Sequence, residues 1–386
     1  MDAELSEMRI SSLFNEFFHS EKSSGIVLII CSTVAILLSN GTTSYLSLWQ
    51  TPIANHSLLH WINDGLMTVF FLLIGLEIER EMYAGEFAQI KNAILPVAAA
   101  IGGMVVPALI HFSLNAGTAT QAGAGIPMAT DIAFALGILS LAGRNAPPAL
   151  RVFLTALAII DDLGAILVIA IFYTGTIAWF YLGAAGAVFA MLLIFNRTGV
   201  NNLWMYLIPG AFMWYFMLHS GIHATITGVL LAFAIPFRDG SITSPSYGLQ
   251  QFLHKPVAFF ILPLFALANA GVLIGPELWA GLLSQNGLGI ILGLCLGKPL
   301  GIAAASWVVL KLKWSSTPAH VNWRHLIGAG CLGGIGFTMS IFVTLLAFTD
   351  PHVIEISKGA ILLSSILSGL LGFAVLTFRA READQA

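Results

Sequence analysis

Residues 154–171 read LTALAIIDDLGAILVIAI, and their only charged side chains are Asp161 and Asp162. A bilayer crossing needs roughly 17 to 25 mostly apolar residues. The stretch, extended to near 150–174, therefore predicts a membrane-spanning helix. Insertion scales put an Asp at the centre of such a helix at about 2.5–3.5 kcal/mol. Two adjacent acids at that depth point to pairing or to function.

The rest of the chain is of the same kind. It has 386 residues, 58% hydrophobic and 9% charged, whereas a soluble domain carries about 25% charged residues. The 16 Lys and Arg are scattered, which argues against a nucleic-acid partner, since such a surface clusters its basic residues. Cys31, Cys295 and Cys331 sit in apolar runs and read as packing residues, not a disulfide framework. The first twenty residues lack the apolar core of a signal peptide. Ile10, Leu13, Phe14, Phe17 and Phe18 share one helical face, which predicts a short helix lying on the membrane surface.

Twelve candidate spans run near 23–39, 59–83, 95–114, 121–142, 150–174, 178–196, 203–218, 221–236, 255–274, 287–311, 325–349 and 357–379. The seventh and eighth are short and separated only by His219–Gly221, so eleven is the alternative count. With twelve spans both termini share one side. Only Lys358 then falls on the opposite side, and Lys298 lies within a span. The positive-inside rule places both termini in the cytoplasm. The outer loop near 40–58 reads as a small hairpin or an ordered loop. The fold class expected is an all-α polytopic membrane protein forming a single transmembrane domain over 1–386.

Two spans carry helix-breaking sequence. The fourth has Gly123, Gly125 and Pro127 before Ala129-Thr130-Asp131. The eleventh has Gly328, Gly330, Gly333, Gly334 and Gly336 before Phe337-Thr338. Proline removes a backbone donor and glycine weakens a helix. In lipid, freed backbone groups must find partners or line a polar cavity. Small residues also serve close helix packing, but each interrupted span is the middle one of three, spans 3–5 and 10–12. Those groups start on opposite sides of the bilayer, as in an inverted repeat.

Within the spans lie Asp64, Glu77, Asp131, Asp161, Asp162 and Lys298. The four central ones (Asp131, Asp161, Asp162, Lys298) would cost about 10–14 kcal/mol if left unpaired. Neighbouring helical residues point about 100° apart, so Asp161 and Asp162 cannot form one pincer unaided. Their roles divide: one carboxylate binds an ion and the other pairs with a cation such as Lys298. Thr130 and Asp131, at the break, add oxygen ligands suited to a hard cation; Asp131 alternatively compensates exposed helix ends. Lys298 either locks Asp161 or carries a transported proton. Asp64 either draws cations to an outer funnel or caps its own helix. His219 and His223 have a metal-ligand spacing, but neither HExxH nor a third ligand accompanies them. His223 and His254, with the cluster Glu77, Glu79, Arg80 and Glu81, read either as pH-responsive groups or as polar and ion-paired helix-end residues.

Several motifs then fall into one pattern. They are FLLIGLEIERE at 71–81, ATDIAFA at 129–135, IIDDLG at 159–164, GIHAT at 221–225, LPLFALANAG at 262–271, GKPLG at 297–301 and GGIGFTMS at 333–340. In this order, spread over nearly the whole chain, they resemble the bacterial sodium/proton antiporter family NhaA. That family is itself a standard case of the inverted repeat, so the repeat adds no separate support. The resemblance implies twelve helices, two of them interrupted and crossing. It implies a core from spans near 95–174 and 287–379, and an interface bundle from spans near 23–83 and 178–274. Ion and proton binding would fall to Asp161 and Asp162, with Thr130. Asp131 and Lys298 would balance the helix breaks, one of which lies at Gly336. Glu77, Arg80, Glu81, His223 and His254 match positions linked to pH control. It further implies electrogenic exchange of Na+ or Li+ for H+ across the inner membrane by alternating access, no cofactor, and a homodimer joined through the outer loop. One departure stands out. Gln250 and Gln251 occupy positions where well-studied members carry an acid and a histidine, so the pH dependence is expected to differ.

Two rivals make distinct demands. A channel requires a continuous polar path, and the intramembrane polar residues are sparse. A membrane aspartyl protease requires two acids on separate helices sharing a proton. Asp131 and Asp161 could imitate this, but no Gly-x-Gly-Asp motif is present.

Overall fold

The computed structural model describes residues 23–377, apart from 43, 55, 144–145 and 239–243. The apolar face from Ile10 to Phe18 lies outside the described residues. So do Arg9, Lys22, Arg144, Arg379 and Arg381, which enter the loop-charge argument.

Helix α1 (Ser23–Gly41) leads through α2 (Ser44–Trp49) to a short antiparallel hairpin. Its strands, β1 (Pro52–Ile53) and β2 (His56–Ser57), pair Pro52 with Ser57 and Ile53 with His56. Then follow α3 (Leu58–Ala84), α4 (Ile90–Asn115), a 3-10 segment (Gln121–Met128) and α5 (Ile132–Leu141). Next come α6 (Pro148–Phe172), α7 (Trp179–Arg197), α8 (Trp204–Leu218), α9 (Ile226–Ala234) and α10 (Pro245–Asn269). The chain ends with α11 (Pro276–Leu282), α12 (Gln285–Lys311), α13 (Trp323–Gly333), α14 (Phe337–Ala347) and α15 (Pro351–Thr377).

Helical structure occupies all twelve expected segments. Eight helices are long and apolar enough to cross a bilayer, and the two bent pairs bring this to ten. The seventh and eighth segments are shorter, with 15 residues in α8 and 9 in α9. The eighth starts late because Gly221 turns the chain with φ of 87°, a conformation glycine adopts without steric cost.

Two boundaries differ from the sequence reading for local reasons. Helix α10 begins at Pro245, well before 255. There the Ser244 side chain accepts from the Tyr247 amide at 3.2 Å, and proline suits the first helical position. Helix α15 begins at Pro351, where Asp350 Oδ1 accepts from the His352 amide at 2.9 Å. Lys358 consequently lies within a helix and not in the loop before it.

The breaks fall where glycine and proline placed them. The chain bends by 41° between the 3-10 segment and α5, and by 45° between α13 and α14. Helices α4 and α12 cross in backbone contact. A Cβ on Gly102 would lie 2.3 Å from the Gly301 carbonyl oxygen, and one on Gly301 would lie 2.1 Å from that of Gly102. One apolar cluster draws only on residues between Leu95 and Leu157 and between Ile302 and Leu376. A larger one runs through the remaining helices and includes Ile126, Ile166, Ile290 and Phe342 of this group. Large apolar side chains such as Ile171, Phe172 and Phe180 are 70–81% exposed, a surface suited to lipid and not to water.

Candidate functional site

The two chain breaks lie against each other. The Asp131 amide donates to the Ile335 carbonyl at 2.6 Å, joining one break to the other. Each break leaves helix-start amides without an intrahelical acceptor. Asp131 answers both. Its Oδ1 accepts from the Phe134 amide at 3.1 Å, at the start of α5. Its Oδ2 accepts from the Thr338 amide at 3.1 Å and the Thr338 hydroxyl at 2.5 Å, at the start of α14. A negative group is favoured at a helix N-terminus, and here one carboxylate serves two.

Lys298 lies where α12 passes the crossing, and it is fully buried. Its Nζ forms an ion pair with Asp161 Oδ2 and donates to the Thr130 hydroxyl oxygen at 2.5 Å. That hydroxyl is 2.7 Å from Asp161 Oδ2 and 2.8 Å from the carbonyl oxygen of Gly333, the last residue of α13. Its single proton serves one of these acceptors at a time. A cation is thus linked to a helix C-terminus, the complement of Asp131 at the N-termini.

Asp161 and Asp162, on α6, are 0% and 1% exposed. Among the described residues, Asp161 Oδ1 and both carboxylate oxygens of Asp162 have no hydrogen-bond partner. Buried carboxylate oxygens without partners are costly. The Asp131 and Asp161 carboxylates hold different partners, so the shared-proton pair of an aspartyl protease is not formed.

The sequence profile of the family described as Na+/H+ antiporter 1 matches residues 15–376. The chain belongs to this family. It is 57% identical over 373 residues to an Na+/H+ antiporter NhaA of Flavobacterium psychrophilum, covering 96% of this chain and 97% of the relative. It is 55% identical over 377 residues to an antiporter of the same name from Cytophaga hutchinsonii, covering 97% of each. A third, from Dechloromonas aromatica, is 55% identical over 385 residues, covering 98% and 99%. The resemblance carried by the motifs is thereby borne out. This member of the Na+/H+ antiporter family is a multi-pass membrane protein, all-α among the described residues apart from the short hairpin at Pro52–Ser57.

The residues matched to pH control in the family divide into two groups. At one end of α3, Glu77 and Arg80 line a cavity of about 60 Å³ with His254, Thr155 and Ile159. Arg80 Nη2 pairs with Glu81 Oε1 at 2.8 Å, and Glu81 Oε2 accepts from the Glu86 amide at 3.0 Å. Glu79 is buried and accepts from the Ser246 hydroxyl at 2.9 Å. His223 lies elsewhere, with Nε2 2.9 Å from the Tyr173 carbonyl oxygen. It belongs electrostatically with Asp64, as do His60 and His56. Asp64 pairs with His60 at 3.0 Å, while Ser57 caps the helix start, so the capping alternative for Asp64 does not hold. His219 Nδ1 lies 2.9 Å from the Tyr215 carbonyl oxygen. Gln250 is buried and Gln251 exposed.

Sequence reasoning left several working residues unassigned. Thr338 supplies two of the donors to Asp131; a hydroxyl just after the Gly-rich break was the available signal. Ser365 accepts from the Phe337 amide at 3.2 Å. The Ser340 hydroxyl donates to the Ile126 carbonyl at 2.7 Å. These two serines lie on other segments than the groups they satisfy, and no local pattern marks them.

Proposed function

We propose that this chain is an electrogenic Na+/H+ antiporter in which Asp161 and Asp162 hold the transported ion. The observation that carries the reading is a charge balance. Asp131 is answered by two helix N-termini, and Asp161 by Lys298. Asp162 is left with both carboxylate oxygens unpartnered among the described residues, beside a second open oxygen on Asp161. Either a proton or a small hard cation neutralises it. The cation takes oxygen ligands from Asp162, from Asp161 Oδ1 and, with modest rearrangement, from the Thr130 hydroxyl. Since both bind the same oxygens, each displaces the other, and coupling follows.

Transport requires the site to face each side in turn. The core of spans near 95–174 and 287–379 would rock against the bundle of spans near 23–83 and 178–274. The apolar cluster restricted to the first group supports treating it as one body. Lys298 is released from Asp161 as the ion binds, and a proton leaving Lys298 makes the charge moved unequal. The membrane potential then contributes about 2.3 kcal/mol per elementary charge per 100 mV. This is secondary active transport in a bacterial inner membrane with both termini cytoplasmic, serving sodium and pH homeostasis. No cofactor is needed. The outer hairpin, with Pro52 and Ile53 exposed, is the contact we assign to a second copy. Asp64 attracts cations at the outer mouth. The group around Glu77, Arg80, Glu81 and His254 sets the pH response at the opposite end, and His223 acts from the Asp64 side.

The test is sodium-induced proton movement in sealed proteoliposomes holding the purified protein. Saturable, coupled exchange that responds to an imposed potential supports the reading. Sodium flux without proton counterflow would indicate a channel and overturn it.

A further inference from the structure

A second buried polar chain lies at the outer end of the same helices. His111 of α4 is fully buried, with Nε2 3.2 Å from Oδ1 of Asn286 on α12. The Asn286 amide donates to the Ser357 hydroxyl of α15 at 2.8 Å, and Ser357 donates to the Val353 carbonyl at 2.7 Å. The sequence of donors has one direction. Asn286 spends its N–H on Ser357 and presents its oxygen to His111, so the imidazole donates through Nε2. The ring sits in a slot between the two three-helix groups. A Cβ on Gly123 of the 3-10 segment would lie 3.0 Å from His111 Cε1, and one on Gly289 of α12 would lie 2.8 Å from Cδ2. Alongside, Asn115 donates to the His111 carbonyl at 2.9 Å and the Gln285 carbonyl at 3.1 Å, and accepts from Thr120 at 2.7 Å.

Four segments are fastened here: α4, the 3-10 segment, α12 and α15. Two of them lead directly to the ion site. The 3-10 segment ends at Met128, just before Thr130 and Asp131, and α12 carries Lys298. We propose that His111 is a positioning residue for ion exchange. Its Nε2–H bond to Asn286 fixes the ring between α4 and α12, the ring in turn seats the 3-10 segment at Gly123, and so Thr130 and Lys298 are held together at Asp161. The inference rests on the antiport reading above. It needs a hydrogen-bond donor at this place, and neither a titrating ring nor mere bulk would do.

The experiment compares His111→Gln, His111→Leu and Asn286→Ala in proteoliposomes, measuring apparent KM for Na+ and maximal rate separately. Glutamine keeps an N–H donor at similar reach, and its KM should stay within about twofold of the parent. Leucine fills the space without a donor, and should raise KM by about three- to tenfold, the scale of one buried hydrogen bond. Asn286→Ala removes the acceptor and should raise KM equally, which covers the case of His111→Leu failing to insert. An unchanged KM in Leu or Ala, or equal losses in Gln and Leu, overturns the proposal. A parent protein that shows no sodium-driven proton flux defeats the antiport reading instead.

Discussion

Lys298 and Asp161 form an ion pair in which neither side chain reaches solvent. Desolvating two charges costs several kcal/mol each, and the pair holds only while both members are present. Lys298→Ala should therefore lower stability by about 3–5 kcal/mol, seen as a reduced thermal midpoint in detergent. Asp161→Asn combined with Lys298→Ala should recover much of that loss, because no charge is then left alone. A double variant no more stable than the single lysine variant contradicts this account of the pair.

Both carboxylate oxygens of Asp162 are without a hydrogen-bond partner among the described residues. On the proposed function, Asp162→Asn removes the exchanging charge without breaking a hydrogen bond, so the protein should insert and keep its thermal midpoint while exchange falls at least about a hundredfold. Asp161→Asn should also suppress exchange, but with a destabilisation that traces to stranded Lys298. Proteoliposome flux and melting curves on the same preparations separate the two. Substantial residual exchange in Asp162→Asn would remove Asp162 from the site.

Asp131 works on helix ends. Asp131→Ala removes acceptors for Phe134 and Thr338 together, and each lost cap costs about 0.5–2 kcal/mol. Asp131→Asn keeps one acceptor oxygen and should fall between Ala and the parent. Thr338→Val removes the hydroxyl alone and should be milder than Asp131→Ala. The order of thermal midpoints checks this, and equal effects of Ala and Asn would show that charge, not capping, dominates.

The pH response offers a test confined to one end of the molecule. With Gln250 and Gln251 in place of an acid and a histidine, exchange measured in everted vesicles between pH 6 and 9 should follow a different profile from members carrying those groups. Introducing Gln250→Glu with Gln251→His should move the profile toward theirs, while saturating Na+ transport at its optimum changes little. A profile already matching those members would show that the cluster around Glu77 and His254 is sufficient.

The sequence by itself determined what depends on local chemistry and one-dimensional pattern. Apolar runs of bilayer length placed the helices, because lipid leaves the backbone few alternatives. Glycine and proline located both breaks, and the motifs from 71 to 340 established the family. Where capping chemistry lay outside the apolar run, at Ser244 and Asp350, the boundaries slipped. The site was legible as a set of residues, Thr130, Asp131, Asp161, Asp162 and Lys298, because charges in lipid are conspicuous. The pairing of one aspartate with Lys298 was legible too, while the two readings of Asp131 stayed open. Only the tertiary structure decided that Asp131 spans two helix starts, that the Thr130 hydroxyl lies between Lys298, Asp161 and the Gly333 carbonyl, and that His223 meets the Tyr173 carbonyl and does not line the cavity beside Glu77 and His254. Ser340, Ser365 and the His111–Asn286–Ser357 chain were equally hidden. Each is an ordinary small or polar residue until a distant segment brings it a backbone group or a partner side chain, and that contact exists only in three dimensions.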